Sequence, residues 1–271
     1  ISSLYSPRLM LSFLMALVAG ISNLSYARDT YSRQPEIDIQ HYRFQLEVSD
    51  QTDQIIGHAQ VCLKARQAIH GFRLDLGAPA ADGKGMQVSA VKMNEKVLSF
   101  THVSDVLTLQ LGERIAAGTS FCVEIDYQGE PRSGLHMSKN KFGERVFFAD
   151  NWPDQGRQWL PVVDHPSDKA TVEFVVTAPE QYAVVANGLK LEESSLEAHK
   201  KLTHWREDVP LAVKVMVIGV ARFEVQESAK LGDIAVSTWV FPQNRDAGFK
   251  DYALALQPLT FFQKKIAAYP Y

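Results

Sequence analysis

The sequence lacks a surplus of charge of either sign. Its 28 lysines and arginines nearly balance its 31 aspartates and glutamates, and basic and acidic residues are interspersed along all 271 positions. No single-sign patch is therefore present to steer binding to nucleic acid or anionic lipid, and we expect no nucleic acid partner. With 46% hydrophobic residues, the chain has the composition of an ordinary globular protein of one or two domains.

Complete catalytic motifs are also missing. The sequence contains no H-E-x-x-H zinc motif, no G-x-S-x-G nucleophile elbow, no glycine loop for phosphates or dinucleotides, and no C-x-x-C. His199 and His204 are not one helical turn apart, and the segment around them has the composition of a strand. The sequence therefore shows no complete catalytic apparatus.

Long hydrophobic runs are scarce, and the main one lies near the N-terminus. An apolar stretch follows Arg8 and ends at Ile21, and residues 25–27 (Ser-Tyr-Ala) have the small-x-small pattern of a signal peptidase site. The run is shorter than the roughly 20 apolar residues that span a bilayer, so we interpret residues 1–27 as a signal peptide and residues 28–36 as a linker. An uncleaved membrane anchor is the alternative. Both predict an exported protein, periplasmic or secreted.

Short alternating patterns occupy most of the remaining chain. Tyr42, Phe44 and Leu46 alternate with polar residues, which is the period-two signature of a half-buried strand. Similar segments, separated by turn signals, are predicted near residues 59–65, 86–93, 106–111, 121–127, 145–149, 171–177, 182–186, 201–206, 212–223 and 234–241. Many short strands without helices between them predict a mostly β fold of antiparallel sheets packed as a sandwich.

The pattern becomes helical after Pro242. Phe249, Tyr252 and Leu256 recur at helical spacing, and Pro258 fits the first turn of a second helix. The β body is therefore predicted to lead into a helical region.

Only two cysteines are present, and each lies on the polar face of a predicted strand. Cys62 alternates with apolar neighbours, and so does Cys122. Two such cysteines can form a disulfide if their strands are adjacent, as is common in exported proteins. Two unpaired thiols are the alternative.

The densest group of polar side chains lies in residues 152–174, with the sequence WPDQGRQWLPVVDHPSDKATVEF. Its aspartates and His165 could in principle bind a cation, but their spacing matches no known metal loop and three prolines restrict the backbone. We therefore expect no metal site here. The segment from Asp164 to Asp168 is interpreted as a proline turn whose carboxylates accept nearby backbone N–H groups, with Arg157 as a paired structural cation.

An ordered set of features runs through the second half of the chain. FFADNWPDQGRQWLPVVDHPSDKATVEFVVTAPEQYAVVANG is followed by THWREDVPLAVKVMVIGVARFEV. The order is an aromatic strand, a loop with arginine, Asp-x-Pro, Lys-Ala and an Asn-Gly turn, and its residues are Arg157, Asp164, Pro166, Lys169, Ala170, Asn187 and Gly188. This set resembles the N-terminal domain of the aminopeptidase N family of zinc metallopeptidases, and the similarity extends from about Asp38 to the end.

The resemblance implies a saddle-shaped antiparallel β domain over residues 37–226 and the helical beginning of a thermolysin-like catalytic domain over residues 227–271. In that family the catalytic domain carries G-x-M-E-N and H-E-x-x-H with a distant Glu, and both motifs would follow the present segment. The resemblance thus implies an aminopeptidase, exported if residues 1–27 are a signal peptide, that acts on peptide substrates, with zinc bound outside this segment and with the downstream catalytic domain as the segment's partner. We expect no catalytic residue and no metal ligand in the segment, and no activity from it alone.

The resemblance also implies a substrate-binding role for two loop residues. In the family, this domain lends a Gln or Glu to the first side-chain pocket or to the amine of the substrate. Alignment on the arginine and on Asp-x-Pro places these positions at Asp150 and Trp152. A carboxylate could bind an ammonium group, and an indole could form an apolar or cation–π wall; a purely structural role for both is the alternative. The loop residues expected to be structural are Arg157, Asp164, Pro166 and Lys169.

Two further interpretations stay open from the sequence. One is a non-catalytic secreted β-sandwich that binds proteins or glycans, and the other is a family member that has lost its catalytic residues downstream. Membrane association is expected only if the N-terminal segment remains uncleaved.

Overall fold

The computed structural model describes residues 29–271. Residues 34–271 form one compact unit. The predicted signal peptide, residues 1–27, lies outside the described residues, so that assignment stays a prediction. Among residues 29–271, none of the helices has the length and apolar character that crossing a membrane requires.

The described chain is mostly β, as predicted, and two helices follow the strands. The strands are β1 (Ile37–Glu47), β2 (Ile55–Ala65), β3 (Ile69–Asp75), β4 (Gly85–Met93), β5 (Lys96–Val97), β6 (Ser99–Val103), β7 (Val106–Ile115), β8 (Ser120–Glu130), β9 (Leu135–Lys139), β10 (Arg145–Ala149), β11 (Ala170–Pro179), β12 (Ala183–Ala186), β13 (Leu189–Leu196), β14 (Lys200–Leu211), β15 (Ile218–Ala221), β16 (Glu224–Leu231) and β17 (Ile234–Val240). The helices are α1 (Arg245–Tyr252) and α2 (Leu256–Lys265), and 3-10 turns lie at Gly156–Gln158, Val213–Val215, Pro242–Asn244 and Ala253–Ala255.

The strands form four sheets in the described residues. The largest has eight strands in the order β13-β14-β11-β1-β2-β8-β4-β5, and smaller sheets contain β12-β15-β10-β9, β3-β7-β6 and β16-β17. Two contacts join smaller sheets to the inner face of the largest one. The ring of Phe72 in β3 lies 6.2 Å from that of Phe121 in β8, and Trp205 Nε1 in β14 donates to the carbonyl of Val184 in β12 at 3.0 Å.

Alternation along β1 shows why the sequence pattern predicted strands well. Tyr42, Phe44 and Leu46 are buried, and the polar residues between them are half-buried on the opposite face. Since successive strand residues point to opposite faces, this pattern follows from the local chain alone. The inner face is aromatic: the rings of Phe44 and Phe174 are 5.6 Å apart, and Trp159 stacks on Phe174 at 6.3 Å.

The sheets are antiparallel, as predicted, except at one pair. β1 runs parallel to β11, with His41 opposite Thr171 and Glu47 opposite Thr177. Parallel neighbours require a long connection between them, and here all of β2 to β10 lies between the two strands in sequence. No local turn therefore dictates their relative direction.

The strand predicted over residues 212–223 is also wrong in part. β14 ends at Leu211, the chain makes a 3-10 turn at Val213–Val215, and only Ile218–Ala221 forms β15. The apolar residues of this segment are largely buried, so its composition resembles that of a strand. Side chains from distant loops hold its turn, and such long-range contacts cannot be predicted from the local sequence pattern. Strands absent from the prediction are β3, β5, β6, β9, β13 and β16. β13, for example, is an edge strand that is exposed along nearly its whole length.

The remaining sequence expectations concern the cysteines and the chain after β15. Cys62 and Cys122 face each other across β2 and β8 and are joined by a disulfide. Pro258 is the third residue of α2, so it lies in the first helical turn as predicted. The domain boundary predicted between residues 226 and 227 falls inside β16 and stays a prediction.

Candidate functional site

The polar segment singled out from the sequence is the long loop between β10 and β11. It contains the 3-10 turn Gly156–Gln158 and divides into two parts. Residues 159–164 are all buried, whereas residues 152–154 are exposed. The loop thus has an inner part that belongs to the core and an outer part that faces solvent.

Backbone hydrogen bonds fix the inner part against two sheets. The N–H of Asp75, at the end of β3, donates to the carbonyl of Val162 at 2.7 Å, and the N–H of Val162 donates back at 3.1 Å. The N–H of Val163 donates to the buried hydroxyl of Tyr42 at 2.9 Å. Buried backbone groups in a loop need such partners, and here they come from β3 and β1.

Arg157 and Asp164 form the polar centre of the inner part. The backbone N–H of Arg157 donates to Asp164 Oδ2 at 3.0 Å, its Nε lies 3.4 Å from the same oxygen, and Nη2 donates to the Asp164 carbonyl at 3.1 Å. The N–H of Asp164 donates in turn to Asp75 Oδ2 at 2.9 Å. Burial raises the pKa of Asp164 to about 6, while the hydrogen bonds and charge of Arg157 act in the opposite direction. This geometry agrees with a structural pair that closes the loop.

The turn from Asp164 to Asp168 differs in detail from its prediction. The carboxylates do accept backbone N–H groups, but these come from outside the turn: Asp164 accepts from Arg157, and Asp168 Oδ2 accepts from Ile39 in β1 at 3.4 Å. Inside the turn, His165 Nδ1 lies 2.7 Å from Ser167 Oγ. Pro166 and Lys169 are exposed.

The outer part of the loop presents Asp150 and Trp152 at the surface. The N–H of Asp150 donates to the Gly134 carbonyl at 2.7 Å, and its Oδ1 accepts the N–H of Trp152 at 3.3 Å. Trp152 is 65% exposed, and its peptide bond to Pro153 is cis. The ammonium Nζ of Lys214 lies 4.5 Å from the centroid of the indole ring. A carboxylate, an aromatic face and a cation therefore occupy one exposed edge, which we call the Asp150–Trp152 edge.

Asn151, between these two residues, anchors the edge, and no sequence pattern predicted this role. Its side chain is buried, and its Nδ2 donates to the carbonyls of Val213 at 3.1 Å and Met216 at 2.6 Å. Its Oδ1 accepts from Trp159 Nε1 at 2.9 Å. Asn151 thereby connects the exposed edge to the buried Trp159 and to the 3-10 turn Val213–Val215, which contains Lys214. A lone asparagine among aromatics offers no sequence signal for this role.

Asn187 holds the same 3-10 turn from another side. Its Nδ2 donates to the Val215 carbonyl at 2.9 Å, and its Oδ1 accepts the N–H of Val217 at 2.7 Å. The Asn-Gly turn predicted here does not connect paired strands, because β12 and β13 belong to different sheets. It instead supports the turn beside the Asp150–Trp152 edge.

A second polar cluster lies on the opposite face of the eight-stranded sheet. Glu173 is buried among four basic side chains: His204 Nε2 at 2.9 Å, Arg43 Nε at 3.3 Å, Arg206 Nη1 at 3.5 Å and His41 Nε2 at 3.6 Å. Burial lowers the pKa of His41, with Glu173 acting against that change. The cluster joins β1, β11 and β14, and its carboxylate has the partners that a buried charge needs.

Comparison with known proteins agrees with this architecture. Residues 39–212 match the family described as the Peptidase M1 N-terminal domain. A probable aminopeptidase 2 from Sulfurisphaera tokodaii is 21% identical over 164 residues, which cover 59% of this chain and 20% of that protein. A leucyl aminopeptidase from Saccharolobus solfataricus is 20% identical over 234 residues, which cover 84% of this chain and 27% of that protein. The chain therefore spans a fifth to about a quarter of these relatives.

Solved structures show the same fold. An M1 zinc metallopeptidase from Deinococcus radiodurans superposes with a TM-score of 0.65 at 23% identity, covering 76% of this chain and 47% of that one. A mutant two-domain M1 zinc metallopeptidase bound to L-tryptophan gives a TM-score of 0.65 at 23% identity, covering 76% and 48%. A mutant of the Deinococcus enzyme bound to a Tyr-Ser-Ala substrate gives 0.64 at 23% identity, covering 76% and 47%. At this identity the likeness concerns the fold.

Proposed function

This chain belongs to the peptidase M1 family, whose N-terminal domain it carries over residues 39–212, and on that premise we propose that it is the substrate-cleft and scaffold domain of an exported zinc-dependent aminopeptidase. The parent protein would remove N-terminal amino acids from peptides, and this segment would supply one wall of the cleft. The observation that carries the proposal is the Asp150–Trp152 edge, where recognition groups are exposed on a base that hydrogen bonds hold in place.

Asp150 is suited to bind the free amine of a peptide. Its carboxylate is exposed, and a backbone N–H donated to Oδ1 orients it. A carboxylate accepts hydrogen bonds at both oxygens, so an incoming ammonium group can still form a charge-assisted hydrogen bond. Trp152 would then shape the space beside the first substrate side chain.

Zinc fits no site in the described part of the chain. Residues 29–271 place no group of three or more His, Cys, Asp or Glu side chains where it could hold a metal ion. The thiols of Cys62 and Cys122 form a disulfide, and a disulfide sulfur is not the thiolate that zinc binds. In this proposal the zinc of the parent enzyme is bound by residues outside the described part of this segment.

Exposed apolar side chains support the downstream catalytic domain as a partner of this segment. On and after α2, Phe261 is 56% exposed, Phe262 53% and Ile266 78%. On the four-stranded sheet, Phe148 is 47% exposed and borders a groove of about 460 Å³. Apolar surface of this kind marks an interaction site, whereas a free-standing binding module would be expected to be polar there.

Export to an oxidising compartment is the remaining component of the proposal. The apolar N-terminal run with its small-x-small site supports it. The disulfide between β2 and β8 supports it independently, because structural disulfides persist mainly outside the cytosol.

The test compares the full-length parent with the 271-residue segment. We expect the parent to hydrolyse aminoacyl anilides with stoichiometric zinc, and we expect the segment to bind no stoichiometric zinc and to be inactive. Replacing Asp150 by Asn in the parent should raise KM at unchanged zinc content. Zinc-dependent turnover by the segment would contradict the proposal, and a zinc-free, inactive parent would favour a member that has lost its catalytic residues.

A further inference from the structure

Lys214 is a cation without an acidic partner at the Asp150–Trp152 edge. It is half-buried, and its Nζ lies over the Trp152 ring at 4.5 Å. In the described part of the chain it forms no ion pair. Cation–π contacts at such sites are weaker than a charge-assisted hydrogen bond to a carboxylate. The ammonium group can therefore leave the ring for a better acceptor.

The backbone that carries Lys214 is held on both sides. Asn151 donates to the carbonyls of Val213 and Met216, and Asn187 donates to the carbonyl of Val215. Because the turn is fixed to the core in this way, the ammonium group moves mainly by rotation of its own side chain. Binding then has to order only the Lys214 side chain and not the backbone that carries it, which reduces the entropy that binding costs.

The charges at this edge have a definite layout. The carboxylate of Asp150 contacts the backbone N–H of Trp152, and the ammonium of Lys214 lies over the indole ring of the same residue. The next carboxylate along the loop, that of Asp154, lies 3.8 Å from the guanidinium of Arg157. The edge thus offers a negative group near the backbone of Trp152 and a positive group at its ring.

We propose that Lys214 binds the first side chain of the substrate and that the parent enzyme prefers peptides with an N-terminal aspartate or glutamate. This inference rests on the proposed function of the Asp150–Trp152 edge. An acidic first residue carries an ammonium group for Asp150 and, a few bonds away, a carboxylate for Lys214. A cationic first residue would place like charges together, and like-charge contacts select against a substrate.

The experiment measures kcat/KM of the full-length parent for glutamyl, leucyl and arginyl anilides. Lys214→Met removes the charge and keeps an apolar stem over the ring, and Lys214→Arg keeps the charge. Lys169→Met, at the exposed far end of the same loop, is the matched control for losing one positive charge. We expect Lys214→Met to lower kcat/KM for the glutamyl anilide at least about tenfold, which corresponds to about 1.4 kcal/mol. In Lys214→Met, kcat/KM for the leucyl anilide should stay within about twofold and kcat/KM for the arginyl anilide should rise. Lys169→Met should change kcat/KM for none of the three substrates.

The other outcomes distinguish a failure of this inference from a failure of the proposed function. Equal losses on all three substrates would make Lys214 a structural contact only. A parent that cleaves leucyl anilide and shows no preference for glutamyl over arginyl refutes this inference and leaves the proposed function intact. If the parent has no zinc-dependent turnover, the proposed function fails, and calorimetry with Glu- and Arg-initiated peptides decides the inference: equal affinities overturn it, and tighter binding of the Glu peptide that Lys214→Met abolishes supports it.

Discussion

Replacing Asn151 by Ala tests whether one buried amide organises the whole loop. The substitution removes two hydrogen bonds to the carbonyls of Val213 and Met216 and one from Trp159 Nε1, at donor–acceptor distances of 3.1, 2.6 and 2.9 Å. Each intramolecular hydrogen bond contributes about 1 kcal/mol net, and a buried group left without a partner costs about 1–3 kcal/mol. With three bonds lost, we expect the free energy of unfolding to fall by about 3–4 kcal/mol.

The assay is urea unfolding of the oxidised 271-residue chain, followed by tryptophan fluorescence and circular dichroism. For a chain of this size the change should also lower Tm by about 6–16 °C. Gln257→Ala is the control, because this amide is exposed on α2, and it should change stability by less than about 0.5 kcal/mol. A loss below about 1 kcal/mol in Asn151→Ala would mean that water or a shifted backbone replaces these bonds, and the role assigned to Asn151 would be refuted.

Three further predictions concern stability. Gly188→Ala should lower the free energy of unfolding by at least about 2 kcal/mol, because a Cβ there would stand 1.9 Å from a backbone oxygen of β14. Gly232→Ala, with open space around it, should lower it by about 1 kcal/mol. Equal losses of the two variants in urea unfolding would contradict this reasoning. Removing both Cys62 and Cys122 should cost about 4 kcal/mol by the chain-entropy relation for a separation of 60 residues, and unchanged Tm would contradict it. Burial raises the pKa of the Asp164 carboxyl to about 6. The stabilisation linked to its protonation is therefore fully present below pH about 4 and is lost as pH rises through about 6. Urea unfolding of Asp164→Asn between these pH values should show a flatter pH dependence than that of the unsubstituted chain, and an unchanged slope would refute this.

The loop between β10 and β11 illustrates how far polar composition can mislead. Its aspartates and His165 have the residue types of a metal site. In the structure, however, Arg157 and Asp164 close the inner part of the loop, and Asp168 accepts a backbone hydrogen bond from Ile39 in β1. The prolines and the spacing already favoured a structural role. The exposed side chains to which we assign substrate recognition, Asp150 and Trp152, lie a few residues earlier.

Polar residue types alone therefore singled out the loop as a candidate site, but they did not single out Asn151, which anchors it. Asn151 is flanked by the two residues of interest and has no distinguishing pattern, because its partners are backbone carbonyls more than sixty positions away. Lys214 was equally invisible, since it lies in a segment that reads as a strand. The contacts of both residues form only when the 3-10 turn Val213–Val215 packs against the loop.

Features that depend on neighbouring residues could be predicted from the sequence. Alternation predicted most of the strands and the placement of the cysteines on polar faces, and helical spacing of apolar residues predicted the helices after Pro242, because side-chain direction in a strand or helix follows from backbone geometry. Only the folded chain shows that β1 and β11 run parallel, that β12 and β13 enter different sheets, and that the Lys214 ammonium lies over the Trp152 ring. These are contacts between segments far apart in the chain, and their formation depends on how buried surfaces and hydrogen bonds fit together in the whole domain.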